Sequence, residues 1–562
     1  MDVIGRFAAL SPRETAPASL AEVAPLLDRD PSELAAAADV VGFLVAVPVA
    51  VVALVAGRVE LLFVAAGLGV GAAVAAHGCV LAVANLRESR ALGSAPTLVG
   101  RAVLRTRIAP TAEGAAEFAA KTDGLLGDRL AEHVRRARGT SRSGFGAFAD
   151  AWREPFPALY RAVTLLEAAA NAPDGERDRA LDRAMETVLD GAEDRAAEAA
   201  DALQGPTTAV YAFGVLLPLA LVAVLPAAGA AGVDTALPAI VAVYDLLLPA
   251  GLCCAAGWLL AARPVAFPPV PVGREHPAVP DRRWPPFAAG AAVAVSGWFA
   301  ADAVLPSWTR PLAAAGFGVG TVFIVRFRPV VAVRRRASQF DDGLPDALYL
   351  VGRRVADGVA VERAVADAAA DLDGVVGETF TAAERRGRQL RVGIEPAFEG
   401  TLDGIPSRRG ESAARLLGLA AREGPPAGRA LVETADHLDA LGRVEAEARR
   451  DLGRVTATLG NTGAFFGPLV GGATVALADS IDVGAASAST GIDGSAPAVA
   501  ALGPAIGAYV LLTAVVLTAL ATGLSRGLDR ATVGYRVGIA LPLATATYLA
   551  GFAATAATAG GL

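Results

Sequence analysis

The chain has 562 residues, 54% of them hydrophobic and 19% charged, with a mean hydropathy of +0.47. A soluble globular domain is about 45–50% apolar even with glycine counted, so a wholly soluble protein is excluded, and the charge excludes one embedded in a membrane throughout. With 57 acidic against 50 basic residues the net charge is −7, and no basic surplus points to nucleic acid as a partner.

The first segment, 1–37, is polar and amphipathic and lacks the basic start and short apolar core of a cleaved signal. About 20 apolar residues cross a bilayer, and the first two such runs, 38–57 and 61–84, are separated only by a few residues around Arg58 and Glu60. They predict a transmembrane hairpin over 38–86. A polar helical domain follows over 87–206, then a second hairpin over 207–262 with runs at 207–229 and 238–262. The Pro-rich linker 263–285 reads as extended. A third hairpin, 286–327, has runs at 286–305 and 310–327 joined by "PSWT". A second polar domain spans 328–459, and 460–562 carries three more runs, at 460–478, 500–524 and 532–557. The prediction is an all-α polytopic membrane protein with about nine spans and two helical-bundle domains. It includes no strand signals.

Arginines near span ends set orientation. Arg87 and Arg90 follow the second span, Arg326, Arg328, Arg334, Arg335 and Arg336 the sixth, Arg449, Arg450 and Arg454 precede the seventh, and Arg526 and Arg530 divide the last two. The loops at 230–237 and 479–499 carry Asp234, Asp479, Asp482 and Asp493 and no basic residue. One arrangement fits: N-terminus and both large domains cytoplasmic, C-terminus outside.

Within the second domain, Leu344, Leu348, Val351 and Val355 recur at helical spacing. Pro345 suits a first helical turn, Asp346 and the preceding Asp341-Asp342 suit a helix start, and Gly358 ends it. Val361, Val365, Ala368 and Leu372 form the facing stripe of the next helix. Over 428–459, Leu431, Leu438, Leu452 and Leu459 lie on a heptad seam, with Leu441, Ala448 and Val455 beside it and Glu445 interrupting it. This predicts one long helix running into the seventh span, packed within the chain or against a second copy.

The two halves repeat at a shared offset. "GLLGDR" (124–129) parallels "GVVGET" (374–379), "VRRAR" (134–138) parallels "ERRGR" (384–388), and Phe148 parallels Phe398. Leu165-Leu166 and Phe213-Gly214 find counterparts in Leu416-Leu417 and Phe466-Gly467. These matches predict an internal duplication.

Catalytic motifs are not found. Lys121-Thr122 is preceded by Ala120 and Ala115 where a P-loop needs Gly to let backbone N–H groups wrap phosphate. "GFGVG" (316–320) lies in a span, where it reads as close helix packing. The four His and three Cys show no metal spacing. No enzyme activity, cofactor or metal is expected. The membrane feature that stands out is Asp245 in "AVYDLLLPAG", since an ionised Asp in hydrocarbon costs about 2.5–3.5 kcal/mol. The candidate partner contacts are Arg135, Arg136 and Arg138, their counterparts Arg385, Arg386 and Arg388, and Arg353, Arg354 and Asp357 on the opening helix.

Leu344, Pro345, Asp346 and Leu348, then Gly358, then Glu362 and Ala364 resemble the opening of the type II secretion system protein F domain. This family includes the membrane platform proteins of type IV pili and archaella, and the two-domain layout resembles its larger archaeal type. The first domain departs from the pattern, with Thr97 where Asp is expected. The resemblance implies a prokaryotic, non-catalytic platform in the cell membrane, dimeric, with a hexameric secretion ATPase and pilin-like subunits as partners. The alternatives from the residues themselves are a secondary transporter built around Asp245 and a membrane adaptor.

Overall fold

The computed structural model describes residues 92–559 apart from 109, 123, 140–142, 231–239, 262–271, 273–275, 281–283 and 481–498, together with a few residues between 30 and 80. The runs 38–57 and 61–84, most of the linker and the two acidic loops therefore lie outside the described residues. Among the described residues the chain is helical, with no strand.

The first polar unit comprises α1 (Ala95–Ile108), α2 (Ala112–Ala119), α3 (Leu125–Ala137), α4 (Phe145–Ala151), α5 (Pro157–Ala170) and the 38-residue α6 (Asp174–Tyr211). On α3, Leu126, Leu130 and Val134 recur every four residues, and all three are buried against Phe145, Phe148 and Leu159. A π-turn, Ala212–Leu216, carries α6 on into α7 (Leu217–Ala230). A second π-turn, Ala242–Leu247, opens α8 (Leu248–Ala261).

Next come α9 (Trp284–Val304) and the 48-residue α10 (Thr309–Ala356), with Asp302 and Arg310 ion-paired across the turn between them. The second polar unit consists of the end of α10, then α11 (Val361–Asp371), α12 (Gly374–Leu390), α13 (Ile394–Leu402), α14 (Arg408–Glu423) and α15 (Pro425–Asn461). Its core is built on Phe340, Phe380 and Phe398, the last two edge to face at 4.8 Å. A third π-turn, Thr462–Phe466, joins α15 to α16 (Gly467–Ser480), and α17 (Val499–Arg526) and α18 (Arg530–Ala559) complete the chain.

The helix start expected at Leu344-Pro345-Asp346 is not there. Pro345 and Asp341-Asp342 lie inside α10, which runs unbroken from the membrane into the polar unit. A proline in a helix interior costs about 3 kcal/mol. Against that, Leu344, Leu348, Val351 and Val355 are all buried to 1% exposure or less, at roughly 1.5–3 kcal/mol each. Packing wins by a factor of two or more. The helix ends where Asp357 caps it and Gly358 turns left-handed at φ +90°, its N–H bonded to the Val355 carbonyl at 3.0 Å.

Among the described residues six helical stretches are long and apolar enough to cross a membrane: Gly175–Val222, Ala242–Leu260, Trp284–Val304, Thr309–Ala356, Leu502–Arg526 and Arg530–Thr558. Nine runs were expected. Two lie outside the described residues, and the third, 460–478, is helical without reaching the same apolar composition. In the bundle, α17 and α18 are central, with 61% of their apolar stretches buried, against 11% for α9 at the edge. The "GFGVG" glycines of α10 permit this packing. A Cβ on Gly316 would lie 1.8 Å from Thr545 Oγ1, and one on Gly320 would lie 2.4 Å from Pro542 Cδ.

Candidate functional site: a cleft crossed by two long helices

Two helices leave the polar units and enter the membrane bundle without a break, and they do so in the same way. α6 passes through its π-turn into α7, and α15 through its own into α16. A proline follows each π-turn by two residues, Pro218 and Pro468, and contributes to it. Proline offers no N–H to the carbonyl four residues back and its ring crowds that carbonyl, so the helix widens locally. The orphaned carbonyls are those of Gly214 and Ala464. The Tyr509 hydroxyl of α17 donates to the Gly214 carbonyl. The Thr547 hydroxyl of α18 lies 3.5 Å from the Ala464 carbonyl, while bonding its own helix at Leu543 at 2.9 Å. The π-turn Ala242–Leu247 is likewise followed by a proline, Pro249, four residues after Asp245. Asp245 lies in that turn, partly buried, and its Oδ1 is buried with no partner among the described residues.

The two long helices lie side by side, Ala200, Gln204 and Thr207 of α6 facing Asp451, Val455 and Thr458 of α15. Above this crossing the two polar units, the middle of α10 and the facing ends of α17 and α18 line a cleft of about 2660 Å³. One tie across it is Arg107 of α1, which pairs with Asp182 of α6 and, at 2.7 Å, with Glu433 of α15. Burial opposes the charge of Arg107, but the Glu433 bond and the Asp182 and Asp178 carboxylates outweigh it and raise its pKa.

A second tie is steric. Gly100 of α1 sits on His437 of α15, where a Cβ would come within 2.3 Å of Nε2. Burial, with a smaller contribution from Arg409, pushes the His437 imidazole down to about 4, so it is neutral at pH 7. Opposite it, Arg409 of α14 pairs with Glu445 of α15, which also takes Arg449 at 3.1 Å. Glu445 interrupts the apolar seam of α15 because it is the acceptor for these two arginines. Of the rest of that seam, Leu431, Leu441, Ala448, Leu452 and Leu459 are buried within the chain, and Leu438 and Val455 are half-buried.

Asp341, inside α10, accepts the Ser407 hydroxyl, and Ser407 in turn caps α14 by accepting the Gly410 N–H at 2.8 Å. Burial pushes the Asp341 carboxyl up to about 6, against the pull of Ser407 and Arg409. At the membrane end, Arg334 of α10 pairs with Asp529, between α17 and α18. Burial raises the Asp529 pKa, but the bonds from Arg334 and the Thr532 N–H outweigh it and hold the carboxyl below its ordinary range.

The arginines singled out in the sequence lie elsewhere. Arg353 and Asp357 are exposed at the far end of α10, and Arg354 pairs with Asp371 at 2.7 Å. Arg385, Arg386 and Arg388 are exposed on α12, Arg388 paired with Glu384 one turn away, and Arg386 lies over Gly400. Arg135, Arg136 and Arg138 are exposed at the end of α3, with Arg136 paired to Glu132 and Arg138 to Glu117. None of these lines the cleft. Of the motif residues, Leu344, Leu348 and Ala364 are core, while Asp346 and Glu362 are exposed. The cleft residues come from segments hundreds of positions apart, and no spacing in the sequence joins them.

Among the described residues no three His, Cys, Asp or Glu side chains converge to hold a metal ion. No protein-family model, curated protein or solved structure matches the chain.

Proposed function

We propose that the chain is the non-catalytic platform of a type IV pilus-like, archaellum-like or type II secretion-like machine, set in the cell membrane with both polar units in the cytoplasm. A hexameric secretion ATPase delivers a conformational stroke to the polar units, and the membrane helices move or guide pilin-like subunits. The observation that carries this reading is the pair of unbroken helices, α6–α7 and α15–α16, that join the polar units to the bundle. A helix transmits displacement along its axis because its backbone hydrogen bonds run in that direction, and the π-turn at each boundary allows its direction to change.

Two further features support an internal duplication behind the pair. Past its opening helix (α1, or the end of α10) each unit runs through four shorter helices to a long final one, and in both, a left-handed glycine (Gly124, φ +101°; Gly374, φ +69°) introduces the helix that carries the matching motif. Three residues later a second glycine is required by a backbone carbonyl, 1.7 Å from a Cβ on Gly127 and 2.0 Å from one on Gly377. Second-copy contacts, in the dimer the family resemblance implies, fall on surfaces other than the α15 seam.

The test is co-purification of the full-length chain with the secretion ATPase encoded in the same cell, together with filament counts after gene deletion. The proposal expects a stable complex and loss of filaments. No complex and normal filaments would sink it. A second reading, ion-coupled transport, is favoured by the orphaned Asp245 Oδ1 alone; it requires Asp245→Asn to abolish an ion-dependent uptake, whereas the platform tolerates that change.

A further inference from the structure

The membrane end of the cleft gathers more positive charge than its carboxylates neutralise. Arg526 is the last residue of the span Leu502–Arg526, Arg536 lies in the second turn of the next span, and Arg449 reaches the same space from α15. The charges that act on Arg526 are those of Arg536 and Arg449, both of its own sign. The nearby carboxylates are engaged: Asp529 by Arg334 and the Thr532 N–H, Glu445 by Arg409 and Arg449. Among the described residues Arg526 and Arg536 have no acidic partner. Guanidinium forks gathered this way match the oxygens of a phosphate, which accept bidentate bonds.

The shape of the cleft narrows the ligand further. Below the arginines its lining continues down α18 along Ile539, Ala540 and Leu543, and the first and last of these are exposed, at 47% and 44%. A free anion has no use for such a wall, whereas a ligand with a phosphate at one end and hydrocarbon at the other fills both parts. Basic pockets between spans are where anionic headgroups bind. We propose that this end of the cleft binds an anionic phospholipid, its headgroup phosphate held by Arg526, Arg536 and Arg449 and its acyl chain lying along Ile539 and Leu543. The lipid then wedges between α15 and the α17–α18 pair, on the axis of the second long helix. The site does not depend on the identity of the motor.

The test uses the full-length chain in a neutral detergent, with bound lipid counted by native mass spectrometry. The probes are phosphatidylglycerol, phosphatidylcholine and inorganic phosphate. The wild-type chain is expected to retain phosphatidylglycerol in preference to phosphatidylcholine. At about fivefold per arginine, R526Q/R536Q weakens that preference about 25-fold. R385Q/R388Q, on exposed α12, leaves it unchanged. If the double variant does not fold, R536Q alone serves, since Arg536 is exposed; it is expected to lose about fivefold with the helical circular dichroism intact. An unchanged preference in either variant overturns the site. Displacement of phosphatidylglycerol by millimolar inorganic phosphate overturns the lipid and leaves a free-anion site.

Discussion

The two polar units share a helix order but differ in how firmly they are tied to the membrane. The second unit has two rods into the bundle, α10 and α15, and they are clamped to one another by glycine: a Cβ on Gly428 would lie 2.4 Å from the Ala356 nitrogen, and one on Gly352 would lie 2.9 Å from the Gly428 carbonyl. The first unit is described with one rod, α6, and the residue of α1 that corresponds to Gly352 by the repeat offset is Ala102, which is fully buried. A glycine contact brings backbones together with no side chain to rearrange, so it is stiff. The difference points to the second unit as the stiffer transmitter and to the first as the part that shifts against it, hinged on the Arg107 and His437 contacts.

The sharpest way to break that comparison is to enlarge the clamp. Gly428→Val drives a side chain into the backbone of α10 and is expected to cost about 3 kcal/mol, or more if the helices cannot part. Ala102→Val adds volume to the fully buried core of the first unit and is expected to cost less, about 1 kcal/mol, and thermal unfolding in detergent compares the two.

Next in size is His437. Its folded pKa, about 4, lies below the unfolded value near 6.5, so the unfolded state binds the extra proton. Stability is then full above pH 6.5 and falls as pH drops towards 4, by about 3 kcal/mol at most. Asp341 acts in the opposite sense. Its folded value of about 6 lies above the unfolded one, so the stability it contributes is present at low pH and lost as pH rises from about 4 to 6. The two partly cancel in the wild-type chain. His437→Gln is expected to leave the Asp341 slope exposed, and Asp341→Asn the His437 slope, in unfolding midpoints measured from pH 4 to 7.

Smaller effects separate the two π-turns. Tyr509→Phe strips the Gly214 carbonyl of its hydroxyl donor and is expected to cost about 1 kcal/mol. Thr547→Val removes a longer contact and is expected to cost less, so the first turn is the better fastened. Smallest of all, Arg388→Gln breaks an exposed pair one turn apart and is expected to change stability by about 0.5 kcal/mol or less.

The helical class and the long α15 were legible because periodicity and length record which face of a helix is buried. The start of α10 was misread because Leu-Pro-Asp is a good local start signal, and only the core around Phe340 and Val351, formed by distant residues, shows that packing overrides it. Pro218, Pro249 and Pro468 each lie inside an apolar run two residues past a π-turn, but Pro504 and Pro542 sit in apolar runs with no π-turn, so proline alone did not mark the turns. The cleft had no sequence signal. Arg107, Asp341, Arg409, His437 and Arg526 meet only through the fold, while the arginine pairs that spacing does reveal are largely one-turn pairs on exposed faces.

The account rests most heavily on α15 acting as an unbroken rod, and Gly453 offers a direct test, because a Cβ there meets nothing within 4 Å. Filaments are counted in cells carrying Gly453→Ala or Gly453→Pro, with the amount of chain in the membrane measured alongside. The expected result is normal filaments with alanine and none with proline at equal membrane levels. Normal filaments with the proline variant would contradict it.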